Sequence, residues 1–274
     1  MGGIKSMSID PADAIEITRF LSPERLGALR HLTGSDQVAI ELHQETLRLG
    51  ASLMNISATV EIALRNAVCE NLNRHFGVPN WLLQPPVPFQ WRKPEQNKIT
   101  MALDSARRAQ YSKLTQAEKA ELDALAYPNG RPANISHLQR AKKRREKIPV
   151  SDGKIIAELT LYFWKRLHGP EDDQTLWRPS LKRTFPDKTL SRAVIAIEQE
   201  QIYQSRNRLA HHEPVLHKRF TDTMRAIDFV IQRVGVTTPN NATPLAKLLA
   251  ADIADVRAKA VALHARLNSF RTSP

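Results

Sequence analysis

The chain has a single cysteine, Cys69, which excludes an internal disulfide and any metal site built from several thiolates. That scarcity fits a reducing, cytoplasmic setting. No apolar run approaches the ~18 residues that would cross a membrane, and no signal-peptide core stands at the N-terminus, so no membrane association is expected. Only 10 glycines occur in 274 residues, and none is arranged as G-x-x-x-x-G-K or G-x-G-x-x-G, which argues against a phosphate-cradling nucleotide loop. No G-x-S-x-G elbow surrounds Ser205. His212-Glu213 resembles the start of a zinc-protease helix, but the next histidine, His217, comes one position late and Pro214 would break the helix. No metal or other cofactor is therefore expected.

Positive charge is plentiful. Forty Lys and Arg against 28 Asp and Glu leave a formal +12. Such an excess favours a polyanionic partner, nucleic acid first among them. Its densest cluster is Arg140, Lys142, Lys143, Arg144, Arg145 and Lys147, interrupted by Glu146. On a helix these bases would point all around the axis, which does not suit a membrane surface. They read as a solvated basic loop or helix end that contacts RNA phosphates.

The periodicity is helical almost throughout, and no sustained strand alternation occurs, so the fold class is all-α. Ser22-Pro23-Glu24 opens one helix, with a capping serine and proline at the first position. A long helix is expected from Ser35 to Arg74 on the apolar series Val38, Leu42, Leu47, Leu49, Leu53, Ile56, Val60, Leu64, Val68 and Leu72, with a bend at Gly50 and a stop at Gly77. Five prolines make 78–94 irregular. Thr115 to Glu118 forms a capping box. The stretch 127–150 is a second irregular insertion, and one buried helix is expected over Lys154–Leu167, its aromatics serving the core. Helices over about 189–212, 214–234 and 243–270 follow. The last is amphipathic and packs on the main domain, 1–236, or on a partner.

The residues able to do chemistry lie at the end of the 189–212 helix. Asn207 and His211 are four apart and share a face, whereas Arg206 lies roughly 140° away and must reach in. Pro214 ends the helix just beyond. Arginine offers a permanent charge and a planar fork matched to phosphate, asparagine can orient an imidazole, and histidine exchanges protons near neutral pH. Together they suit metal-free RNA cleavage, in which the 2′-OH attacks the adjacent phosphorus. That reaction needs a base at the 2′ oxygen, an acid at the 5′ oxygen and donors for the phosphorane. One histidine does not easily fill both proton-transfer roles, and a symmetric dimer would supply a second. By spacing alone a structural, helix-end histidine remains an open alternative.

The segment Arg206-Asn207-Arg208-Leu209-Ala210-His211-His212-Glu213-Pro214 resembles the signature of the Abi-like (abortive infection) branch of the HEPN superfamily. Leu21 to Leu26, Val60 to Val68, and Asp152 to Leu167 with Leu176-Trp177 resemble other blocks of that family, in the same order. The resemblance implies a HEPN-like helical bundle with endoribonuclease activity, acting as a homodimer in antiviral defence or as a toxin restrained by an RNA or protein antitoxin. By position it makes Arg206 and His211 catalytic and Asn207 their polar companion. Glu61, Arg65, Asn66 and His212 are the expected supporting shell. Glu61 and Arg65 read equally as a surface ion pair of small energy. A non-catalytic RNA-binding or regulatory module on the same scaffold is the alternative function.

Overall fold

A computed structural model describes residues 9–272. It is all-α: eleven α-helices and three short irregular turns, with no strand among the described residues. The chain divides into two compact units, 1–63 with 197–274, and 64–196. Among the described residues, no helix is long and apolar enough to cross a membrane.

The first unit begins with α1 (Pro11–Leu21) and α2 (Pro23–Thr33). Ser22 caps α2, its hydroxyl accepting from the Arg25 amide at 3.3 Å with Pro23 in the first turn, as the sequence predicts. α3 (Asp36–Phe76) runs unbroken through Gly50. Leu42, Leu49, Leu53, Ile56 and Val60 are all buried, which confirms the three- and four-residue spacing that identified the helix. Gly50 has a packing reason: a Cβ there would sit 3.3 Å from Cδ2 of Leu209. α9 (Arg192–Ala210), α10 (His217–Arg233) and α11 (Pro244–Thr272) complete this unit, α9 entering it at residue 197. Thr243 caps α11 by accepting from the Ala246 amide at 3.0 Å. α11 packs against α10 and α2. Arg266 of α11 also pairs with Glu41 and Glu45 of α3.

In the second unit α3 ends at Gly77, in the left-handed conformation (φ 67°) that favours glycine, its amide reaching the Asn73 carbonyl at 2.9 Å. The proline-rich stretch that follows is irregular, yet it carries Trp81, Leu82 and Trp91 into the core. α4 (Lys93–Tyr111), α5 (Gln116–Ala126) and α6 (His137–Glu146) come next, and the Thr115–Glu118 capping box forms in both directions. The single helix expected over Lys154–Leu167 is two helices, α7 (Asp152–Glu158) and α8 (Leu161–Arg166). Leu159 between them is extended (φ −80°, ψ 124°), and the carbonyl freed by the break accepts from the Trp164 indole at 3.2 Å. Phe163 and Trp164 are almost fully buried, so these aromatics belong to the core. His168 is wholly buried against Trp177 and Phe185.

Candidate functional site

The end of α9 is held partly by Leu209, buried against the close approach that Gly50 of α3 permits, and partly by buried Ser205, hydrogen-bonded to Thr223 of α10. At 100° per residue, Asn207 and His211 each lie roughly 160° from Leu209, on either side of the opposite face, within about 40° of one another. Burying Leu209 therefore turns Asn207 and His211 outward. His211 is exposed and Asn207 half-buried. Among the described residues neither side chain makes a hydrogen bond. The His211 amide donates to the Asn207 carbonyl at 3.2 Å, which preserves the four-residue register between them. Arg206 sits roughly 60° from Leu209, along the flank. There its Nε lies 3.8 Å from the Glu61 carboxylate of α3, an ion pair too long for a direct hydrogen bond.

The helix stops through hydrogen bonds that the sequence only partly announced. The His212 amide donates to the Leu209 carbonyl at 3.0 Å, and the Glu213 amide to the Arg208 carbonyl at 2.8 Å, closing a Schellman-type end. His212 takes the left-handed position (φ 56°) usually held by glycine. Arg208 pairs with Glu213 across this turn at 2.9 Å. Arg25 of α2, 187 positions earlier, donates from its guanidinium to the His212 carbonyl at 3.2 Å. Nothing in the local sequence signals that last contact. Beside the turn, a groove of about 400 Å³ is lined by Leu47, Gly50, Met54, Leu209, Ala210 and His212 among others.

Of the expected supporting shell, Glu61 stands beside Arg206 and His212 forms the helix stop. Arg65 and Asn66 belong to the second unit, where Arg65 Nε donates to Asn66 Oδ1 at 3.4 Å. Among the described residues, no three His, Cys, Asp or Glu side chains are grouped so as to hold a metal ion.

The basic cluster departs from its solvated description. Residues 140–146 are the body of α6, started by the Ser136–Gln139 capping box. Arg144 is only 8% exposed, and its Nε and Nη2 donate to the two Asp123 oxygens at 2.6 Å each. Arg140 pairs with the same carboxylate, and Arg144 also donates to the Tyr111 hydroxyl at 3.2 Å. These guanidinium bonds hold the Asp123 carboxyl far below the usual carboxylate range. Arg145 lies 3.5 Å from Asp104, and Lys143 lies 3.0 Å from Glu146. Lys142 and Lys147 are exposed and have no ion pair among the described residues. The arginines thus knit α4, α5 and α6 together, and the lysines are what face solvent.

The chain matches no protein-family model, no curated protein and no solved structure.

Proposed function

We propose that this chain is a metal-independent endoribonuclease of the HEPN type, acting in the cytoplasm as a toxin or antiphage effector. The observation that carries the reading is the outward-turned end of α9: Asn207 and His211 share one face with no side-chain hydrogen bond among the described residues, and Arg206 flanks them near Glu61. An imidazole and a guanidinium on an open surface can meet a polymer that would not enter a closed pocket. Arg206 grips the scissile phosphate and neutralises charge developing on the phosphorane. His211 moves a proton to or from an oxygen undergoing attack or departure, and Asn207 orients it or donates to phosphate. Attack by the RNA 2′-OH breaks the bond to the 5′ oxygen, leaving a 2′,3′-cyclic phosphate and a 5′-hydroxyl.

Two proton-transfer roles and one histidine lead to the second part of the proposal. A homodimer that brings two copies of the α9 end together supplies both. An RNA or protein antitoxin covering the same surface would silence it. The test is cleavage of RNA by the purified chain in excess EDTA. Wild type should cut, and His211→Ala should be slower by at least ~10². Binding without cleavage, with a steep salt dependence, would instead favour an RNA-binding module.

A further inference from the structure

One cavity in the first unit has no role in the reaction proposed above. It is a groove of about 780 Å³, within the ~300–1,000 Å³ range of small-molecule sites. Its apolar wall is made by Leu29 and Leu32 of α2, Leu47 of α3 and Leu267 of α11. Its polar side carries Arg25, Arg271, His43 and His212. Among the described residues neither Arg25 nor Arg271 has an ion pair. Glu213, which also lines it, is already paired with Arg208, leaving Glu24 as the opposing charge.

His43 gives a second, independent observation. It is 7% exposed, it lines this cavity, and among the described residues its Nδ1 has no hydrogen-bond partner. A buried polar nitrogen left unpaired costs free energy that a ligand donor or acceptor would recover. Burial, aided by the nearby Arg25 charge, pushes the His43 imidazole below its usual range, so at neutral pH it is an uncharged ring suited to hydrogen bonding.

An apolar wall, a buried imidazole nitrogen and two guanidiniums without an ion pair among the described residues suit a ligand with an apolar body, ring heteroatoms and an anionic end. We propose that this cavity binds a nucleoside monophosphate, its base against the leucines and His43 and its phosphate toward Arg25 and Arg271. The Arg25 bond to the His212 carbonyl gives the ligand a direct neighbour in the turn that ends α9. The site stands independently of RNA cleavage, because its ligand is read by binding alone.

The test is calorimetric titration of the full chain with adenosine 5′-monophosphate, adenosine and inorganic phosphate. The nucleotide should bind saturably below ~1 mM, with adenosine and phosphate each at least ~10-fold weaker. Arg25→Gln should weaken the nucleotide at least ~10-fold through loss of a charge-assisted contact. Ala28→Trp, an exposed helix position on the cavity wall, should abolish binding by filling it while leaving the fold intact. Absence of saturable nucleotide binding would overturn the proposal. So would binding that survives Ala28→Trp, or inorganic phosphate matching the nucleotide.

Discussion

The end of α9 and the body of α6 are both rich in arginine, but the two regions spend that charge differently. In α6 the guanidiniums of Arg140 and Arg144 converge on one carboxylate, Asp123, and Arg144 is buried. At the end of α9, Asn207 and His211 make no side-chain hydrogen bond among the described residues, and Arg206 is held only at 3.8 Å by Glu61. Density of basic residues in the sequence is thus a poor guide to charge free for a ligand. Three helices docked through Asp123 explain the denser cluster. At the sparser one Arg206 and Arg208 each keep an ion pair, and Asn207 and His211 have no side-chain hydrogen bond among the described residues.

If that contrast is right, substitutions in the two regions should fail in different ways. The largest effect is expected at α9: Arg206→Ala should slow RNA cleavage by at least ~10², through loss of about 2.7–4 kcal/mol of transition-state stabilisation, with the melting temperature little changed. Arg144→Ala should do the reverse. It breaks a mostly buried pair and should cost about 2 kcal/mol in urea unfolding, less than a fully orphaned charge because Asp123 keeps Arg140. Lys142→Ala in α6 and Lys147→Ala at its C-cap sharpen the comparison. Each should change stability by no more than about 0.5 kcal/mol, and each should lower the salt slope of RNA binding by about 1 if the lysines contact phosphate.

Two smaller effects concern stability alone. Burial pushes the His168 imidazole down from 6.5 to about 4, so the unfolded chain takes up this proton before the folded one. The stability it contributes is fully present above pH 6.5 and is lost as pH falls through about 4, and His168→Gln should flatten that part of the pH dependence. At the helix stop, His212→Val should lose about 1 kcal/mol because a β-branched residue fits φ 56° poorly, whereas His212→Gly should lose none.

Much of this fold could be read in advance where local chemistry decides it. The α3 stripe, the Ser22 and Thr115 caps and the Gly77 stop depend on residues within a few positions of one another, and each appears as the pattern predicts. The break at Leu159 was not legible, because its carbonyl is satisfied by a tryptophan side chain five residues on rather than by the helix. The shared face of Asn207 and His211 follows from spacing. Its outward direction does not: it depends on long-range contacts such as Leu209 meeting Gly50, across 159 residues of chain, and Ser205 meeting Thr223. The saturation of Arg140 and Arg144 likewise required Asp123, which no motif links to them. Long-range pairing was the recurrent blind spot, and it affected charge more than hydrophobic pattern.

The proposed chemistry makes a definite statement about RNA ends. Purified wild-type chain and His211→Ala should be incubated with a labelled single-stranded RNA in excess EDTA, and the products resolved by end group. The account expects wild type to leave 2′,3′-cyclic phosphate and 5′-hydroxyl ends and the variant to be slower by at least ~10². Equal cleavage by the variant, or a strict requirement for divalent metal, would contradict it.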